Sequence, residues 1–253
     1  NWLQGADEFK LVDAALRTVG QAETGPLSIE LDTRAFYDAT SREKIGLGSS
    51  AALAVALVAA LTESTDVLDD ARRVHRLFQG GSGSGVDIAA GVTGGLIEYH
   101  MNSTEVPTLR WPRDLAYRLI WTGVPASTGS KLGKLQGANR RQSRDALAIA
   151  ATRMADAWRS ATAVLGELQA YTEVLRQFSD EHDLGIFDAG HDKLVAEARS
   201  AGLVYKPCGA GGGDVGILLG TRNEQLDEFV MGIGAPGCRS LSCALDVNGV
   251  ELE

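Results

Sequence analysis

Nine residues, Lys44-Ile45-Gly46-Leu47-Gly48-Ser49-Ser50-Ala51-Ala52, run straight into an alanine-rich apolar segment that ends at Leu61. The two glycines permit positive φ and a close approach of backbone to whatever lies outside the turn. The apolar run behind them reads as a buried helix. The first amides of such a helix have no partner within it and its dipole is positive there, so phosphate is a natural occupant. Ser49 and Ser50 set two hydroxyls at the same mouth, able to bond phosphate oxygens or ligate a hard divalent cation. A glycine turn entering a core helix has the same pattern, so the rest of the chain must separate the two readings.

Two more glycine-rich loops follow, at residues 80–85 and 209–213. One such loop is weak evidence, because turns use glycine everywhere. Three, each beside an expected helix or strand in a chain with 30 glycines, are harder to assign to turns alone. Neither the G-x-x-x-x-G-K-[ST] pattern nor a G-x-G-x-x-G fingerprint occurs. The second loop leads into Asp87, flanked by apolar Val86 and Ile88. A carboxylate so placed can orient or deprotonate a substrate hydroxyl, or hold a metal-bound phosphate. An Asx turn or a helix cap is the structural alternative.

Along the chain, Phe9, Val12, Leu16 and Val19 share a helical face that Gly20 closes. Leu27–Asp32 alternates as a half-buried strand does, and Asp66–Phe78 reads as a helix. Short strands are expected at Leu96–His100 and Leu115–Thr122, the latter running into the turn-rich Trp121-Thr-Gly-Val-Pro-Ala-Ser-Thr128. Residues 137–178 read as helix with a break near Ser160–Gly166, and His191–Ala201 as another. A strand leaves the third glycine loop towards Leu219, a helix spans Glu224–Gly232, and a last strand Leu241–Val247. Mixed α and β elements, with a proline-containing connection at 102–114, imply two domains with a boundary at 112/113.

The net charge of −9, with no block of five basic residues, argues against nucleic acid or an acidic membrane as the main partner. Three cysteines without a C-x-x-C pair support neither a disulfide framework nor a zinc ribbon, so cytoplasm is the expected compartment. The longest apolar run is too short to span a bilayer, and no signal peptide is visible. His75, His100, His182 and His191 share no metal-ligand spacing and read as structural or solvated. His75 stands apart from the other three in preceding the aspartate loop. Arg140–Arg144 reads as solvated helix surface, Trp111, Trp121 and Trp158 as core, and Cys208 as a small buried residue.

Lys44–Ala52, Gly83-Ser84-Gly85-Val86-Asp87 and Lys206-Pro-Cys-Gly-Ala-Gly-Gly-Gly-Asp214 together resemble the second, substrate and third motifs of the GHMP kinase superfamily. That group includes galactokinases, homoserine kinases, mevalonate kinases and phosphomevalonate kinases. Lys44, the Trp121–Thr128 segment and the long third motif make the phosphomevalonate kinase branch the most similar. The resemblance implies an α+β, two-domain fold. Residues 1–112 would form an ATP-binding N-terminal α/β domain, and 113–253 a ferredoxin-like α+β domain. It implies an enzyme that moves the γ-phosphoryl of ATP to phosphomevalonate, with ATP and Mg²⁺ as cofactors. No nucleic acid or membrane partner is implied, and the assembly would be a monomer or homodimer.

Residue by residue, Gly46, Leu47, Gly48, Ser49, Ser50 and Ala51 match the loop that wraps ATP phosphates, with Ser50 at the Mg²⁺ position. Gly211, Gly212 and Gly213 would pack against the transfer site. Asp87 matches the aspartate facing the acceptor, and Lys44 would supply positive charge. Ser82, Ser84 and Gly85 would line the acceptor pocket, with Ser127 and Thr128 as further contacts. The family's first motif, a Pro-Gly-Lys…Gly-Glu-Tyr-type stretch, is absent. The start at Asn1 and the ending Leu252-Glu253 suggest that the natural N-terminal part lies outside this sequence. Arg76 stands about where mevalonate kinases carry a metal-binding glutamate. Mevalonate kinase, another GHMP kinase, the related diphosphate decarboxylase and an inactive ligand-binding member remain the alternatives.

Overall fold

The computed structural model describes residues 9–20, 28–81, 83–101, 103–126, 128–135, 141–234 and 237–252. The expectations for Ser82 and Ser127 lie outside these residues, as do the first residue of the Leu27–Asp32 strand and the start of the helix expected from Gly137. Backbone contacts divide the chain into two units. The first comprises residues 1–35, 48–109 and 244–253, and the second residues 36–47 and 110–243.

The first unit is mainly helical: α1 (Lys10–Val19), α2 (Ser49–Thr62), α3 (Leu68–Phe78) and α4 (Val86–Thr93), with a hairpin of β1 (Leu96–Ile97) and β2 (Thr108–Leu109). Although α2 is apolar all round, it is not buried all round. Ala51, Ala54, Val55, Leu57, Val58 and Ala59 are buried, while the exposed stripe, Ala52, Ala56 and Ala60, is alanine repeated every fourth residue. Alanine is a strong helix former that costs little in water, so this stripe keeps α2 helical without adding a large apolar patch. Leu11, Val12 and Ala15 of α1 and Ala71 and Val74 of α3 pack on its buried side, with Ile88 of α4 closing the core. The chain's last described residues return here. The Gly95 amide donates to Asp246 O and the Val250 amide to Val92 O.

The second unit is built on a four-stranded sheet of β3 (Ala116–Trp121), β4 (Val204–Pro207), β5 (Val215–Gly220) and β6 (Arg239–Leu241). The strand order is β4-β5-β3-β6, and every neighbouring pair is antiparallel. Strands β3 and β4 therefore run the same way with β5 inserted between them, the split β-α-β arrangement of a ferredoxin-like sheet. The first crossover carries α5 (Thr128–Leu135), α6 (Arg141–Asp156), α7 (Ala161–Glu181) and α8 (His191–Ser200), and the second carries α9 (Asn223–Met231). Alternation along the strands separates two faces. Ile120, Leu218 and Tyr205 pack with Leu194 of α8 and Leu226 of α9, whereas Val204 and Leu219 pack with Val164 and Leu168 of α7.

Three expectations are corrected. Residues 28–33 form no strand, because the alternating segment finds no partner among the described residues and leaves Ile29 and Leu31 exposed. The long helix breaks at 157–160 rather than at 160–166, with Ser160 accepting a hydrogen bond from the Ala163 amide as the cap of α7. The last strand ends at Leu241, so Ser242–Val247 continue without ladder bonds. Among the described residues, no helix is long and apolar enough to cross a membrane.

Candidate functional site

The first glycine turn lies where the chain passes from the second unit into the first, between Leu47 and Gly48. On the first unit's side, Gly48 adopts the left-handed conformation (φ 75°, ψ 34°) and caps α2. Only glycine takes that geometry without strain. The amides of Ala51 and Ala52 fold back onto Gly48 O at 3.0 and 3.1 Å, while those of Ser49 and Ser50 have no backbone acceptor among the described residues. Ser49 and Ala51 are buried. Ser50 faces a neighbour: its Oγ lies 3.1 Å from Nε2 of His75, on α3.

His75 is 2% exposed, and its Nδ1 lies 3.9 Å from Oδ1 of Asp87. That separation is electrostatic contact rather than a hydrogen bond. Burial pushes the His75 imidazole below its ordinary pKa, and the Asp87 charge partly opposes this. The neutral ring satisfies both neighbours when Nδ1–H points towards the carboxylate and Nε2 accepts the Ser50 hydroxyl proton. The Ser50 oxygen then keeps its lone pairs for an outside cation. Asp87 is not a helix cap, because Gly85 (φ 77°) holds that position. It sits in the first turn of α4, its side chain 40% exposed, with Oδ1 accepting from the Ile88 amide at 3.0 Å.

The second unit holds the other half of the motif set. Lys44 pairs with Tyr37 in an isolated bridge, and the Ile45 amide donates to Phe36 O. Gly46 has φ 88°, and a Cβ there would lie 2.2 Å from Cγ of Asp214. Asp214 is itself held at φ 55°. Its amide donates to Val124 O at 2.7 Å, its Oδ1 accepts from the Ala126 amide at 3.0 Å, and its carbonyl accepts from Thr122 Oγ1 at 3.1 Å. Residues 44–46, 122–126 and 211–214 are thus tied together through one aspartate. Burial raises the Asp214 pKa, opposed by the Ala126 bond and the charges of Lys44 and Lys131. Gly46→Ala is expected to destabilise this unit by about 2–4 kcal/mol, from backbone strain plus displacement of Asp214. Urea unfolding measures it.

Gly211, Gly212 and Gly213 all have positive φ. A Cβ at Gly212 would collide with Lys131 Nζ, at 2.2 Å. The Lys131 ammonium donates to three carbonyls, Gly185 O at 3.3 Å, Ala210 O at 3.1 Å and Gly211 O. Burial lowers its pKa, with Asp188 and Asp214 acting against the shift. From the other side, buried His191 lies 2.9 Å from Gly213 O through Nε2 and 2.8 Å from Tyr205 Oη through Nδ1.

Compared with known proteins, the family model described as "GHMP kinases N terminal domain" matches residues 10–95. A phosphomevalonate kinase from Streptomyces sp. (strain CL190) is 31% identical, covering 82% of this chain and 66% of its own length. The chain belongs to the GHMP kinase superfamily. Human mevalonate kinase is 29% identical over 82% of this chain and 60% of its own length. The chain spans less than two thirds of the length of these two curated relatives. Among solved structures, Streptococcus pneumoniae phosphomevalonate kinase in complex with phosphomevalonate and AMPPNP superposes with a TM-score of 0.79. It is 16% identical and covers 94% of this chain and 81% of its own.

In this GHMP kinase chain, the structure brings Ser50 and Asp87 together through His75 within the first unit. Ser84 and Gly85 lie in the same unit, immediately before Asp87. Lys44, Gly46 and Gly211–Gly213 cluster around Asp214 and Lys131 in the second. Leu47 is 41% exposed, and Thr128 is the first residue of α5. Residue spacing did not single out Asp214 or Lys131, and His75 and His191 read as structural or solvated. The signal for His75 was its place just before the aspartate loop.

Proposed function

We propose that this chain carries the catalytic groups of an ATP-dependent kinase whose acceptor is phosphomevalonate, with diphosphomevalonate as the product. The carrying observation is the Ser50–His75–Asp87 array, a hydroxyl and a carboxylate on opposite nitrogens of one buried imidazole. Residues 1–112 would supply the nucleotide-binding part and 113–253 the rest. The amides of Ser49 and Ser50, which have no backbone acceptor among the described residues, would take nucleotide phosphates. Lys44 would supply positive charge, and Gly211–Gly213 would pack against the transfer site.

The donor set suits Mg²⁺ bound mainly through a nucleotide. The described residues hold no group of three or more His, Cys, Asp and Glu that would cage a metal alone. Mg²⁺ in phosphoryl-transfer sites needs only one or two protein oxygens beside the phosphates, and Ser50 offers one. When bound, the ion neutralises charge on the phosphates. A phosphate monoester has its second pKa near about 6 and is already an anionic nucleophile at neutral pH. Asp87 therefore orients the acceptor, its Oδ1 held by the Ile88 amide and lying 3.9 Å from His75 Nδ1. Ser84 and Gly85, with Ser82, Ser127 and Thr128, would contact the acceptor.

Similarity to human mevalonate kinase supports mevalonate as the second reading. Coupled ADP release with Mg-ATP separates the two. Turnover with phosphomevalonate is the expected result, and turnover with mevalonate alone would reassign the acceptor. No turnover with either, while an ATP analogue still binds, would favour a ligand-binding member of the family.

A further inference from the structure

Helix α3 carries Arg72 and Arg76 one turn apart, on either side of His75 in sequence. With His75, Ser84, Gly85 and Tyr99 they line a concavity of about 350 Å³ within the first unit. Arg72 is unusual in its surroundings. Its side chain is 21% exposed, and its Nε and Nη2 are buried without an acceptor among the described residues. Buried donors of a charged group are rarely left so, because the missing bonds cost free energy that a ligand or water normally restores. Asp69 lies 3.6 Å from Nη1 but is 83% exposed, and such pairs contribute little. Arg73, which also lines the concavity, is engaged with Asp70 at 3.4 Å.

The arginine is also held in place. Its guanidinium lies 5.6 Å from the Tyr99 ring centroid, and the Tyr99 hydroxyl donates to Ser84 O. A Cβ on Gly85 would lie 3.3 Å from Tyr99 Oη and 3.6 Å from Arg72 Cγ, so the bare glycine lets the loop sit against both. A planar fork with an unpaired edge matches two oxygens of a phosphate better than any single-point cation. The loop that meets Arg72 continues within two residues into Asp87.

We infer that this concavity holds a phosphomonoester, the phosphate that the acceptor already carries, with Arg72 as its principal anchor and Arg76 as an exposed second cation. The inference rests on the kinase reading for the acceptor's identity, but binding of the anion can be tested without turnover. Isothermal titration of the full chain, without nucleotide, with phosphomevalonate, mevalonate and inorganic phosphate is the direct experiment. Phosphomevalonate should bind about tenfold or more tightly than mevalonate, since charge-assisted hydrogen bonds of this kind support that margin.

Arg72→Gln should remove the margin while leaving AMPPNP binding unchanged, and Arg72→Lys should restore only part of it. Arg76→Gln, at an exposed position with little influence on folding, should weaken phosphomevalonate binding several-fold. Wild-type affinity for phosphomevalonate in a folded Arg72→Gln would overturn the inference. So would equal losses for mevalonate and phosphomevalonate, or a loss confined to AMPPNP, which would assign the anion to the nucleotide. Absence of ADP release with every acceptor, alongside Arg72-dependent binding of inorganic phosphate, would remove the kinase reading and leave the anion site standing.

Discussion

Asp87→Asn is expected to lower kcat with phosphomevalonate by about 10²–10⁴, the usual span for loss of a positioned acid–base or charged group in phosphoryl transfer. Asparagine keeps the size of the side chain and an oxygen for the Ile88 amide, so α4 should retain its first turn. What disappears is the negative charge 3.9 Å from His75 Nδ1. Without it, the ring loses its reason to keep the Nδ1–H tautomer, and the Ser50 hydroxyl loses a dependable acceptor. The effect should therefore reach the nucleotide side as well. Ser50→Ala should raise the Mg²⁺ concentration needed for half-maximal rate, and Asp87→Asn should do so to a smaller degree. Steady-state ADP release over a Mg²⁺ series measures both. An Asp87→Asn enzyme with wild-type kcat would remove Asp87 from the chemistry.

His191→Leu is expected to cost about 3–5 kcal/mol of stability, read by urea or thermal unfolding. The imidazole is fully buried and uses both nitrogens, so replacing it strands the Tyr205 hydroxyl and Gly213 O, each a loss of about 1–3 kcal/mol. Its pH signature has a definite sign. Burial is the largest influence and lowers the His191 pKa, with the charges of Lys131 and Lys206 acting the same way. The native state thus favours the neutral ring, and the unfolded chain takes up a proton first, near the ordinary 6.5. Stability supplied by the neutral ring is present above that value and is lost as pH falls through the lower native pKa. His75 is shifted in the same direction. Wild-type stability should decline on acidification from pH 7 to 5, and the Leu variant should decline less steeply.

The elements legible in the sequence were those whose local pattern agrees with their packing. The apolar run after Ser49 became α2, and the strand expected over Leu115–Thr122 became β3, whose two faces meet different helices. The segment Leu27–Asp32 alternates equally well, but alternation specifies a strand only when a neighbour supplies ladder bonds. The site divides in the same way. Ser50 and Asp87 announce themselves because glycines flank them for conformational reasons. His75 reaches Ser50 across 25 residues of sequence, and Lys131 reaches Gly211 across 80, so neither spacing carries a periodic signal. Both act through carbonyl or hydroxyl partners that only the folded backbone brings near.

The return of residues 244–252 to the end of α4 bears on the order in which the chain is made. The Gly94 Cα approaches Gly249 so closely that a Cβ would lie 2.2 Å from its backbone nitrogen. On a ribosome, everything from Phe36 to Cys243, which includes every residue of the second unit, emerges before this closing strip is available. Helices α1 to α4 are thus synthesised before residues 244–252, which pack against the end of α4. Vectorial synthesis therefore leaves the end of α4 uncovered until residues 244–252 have emerged.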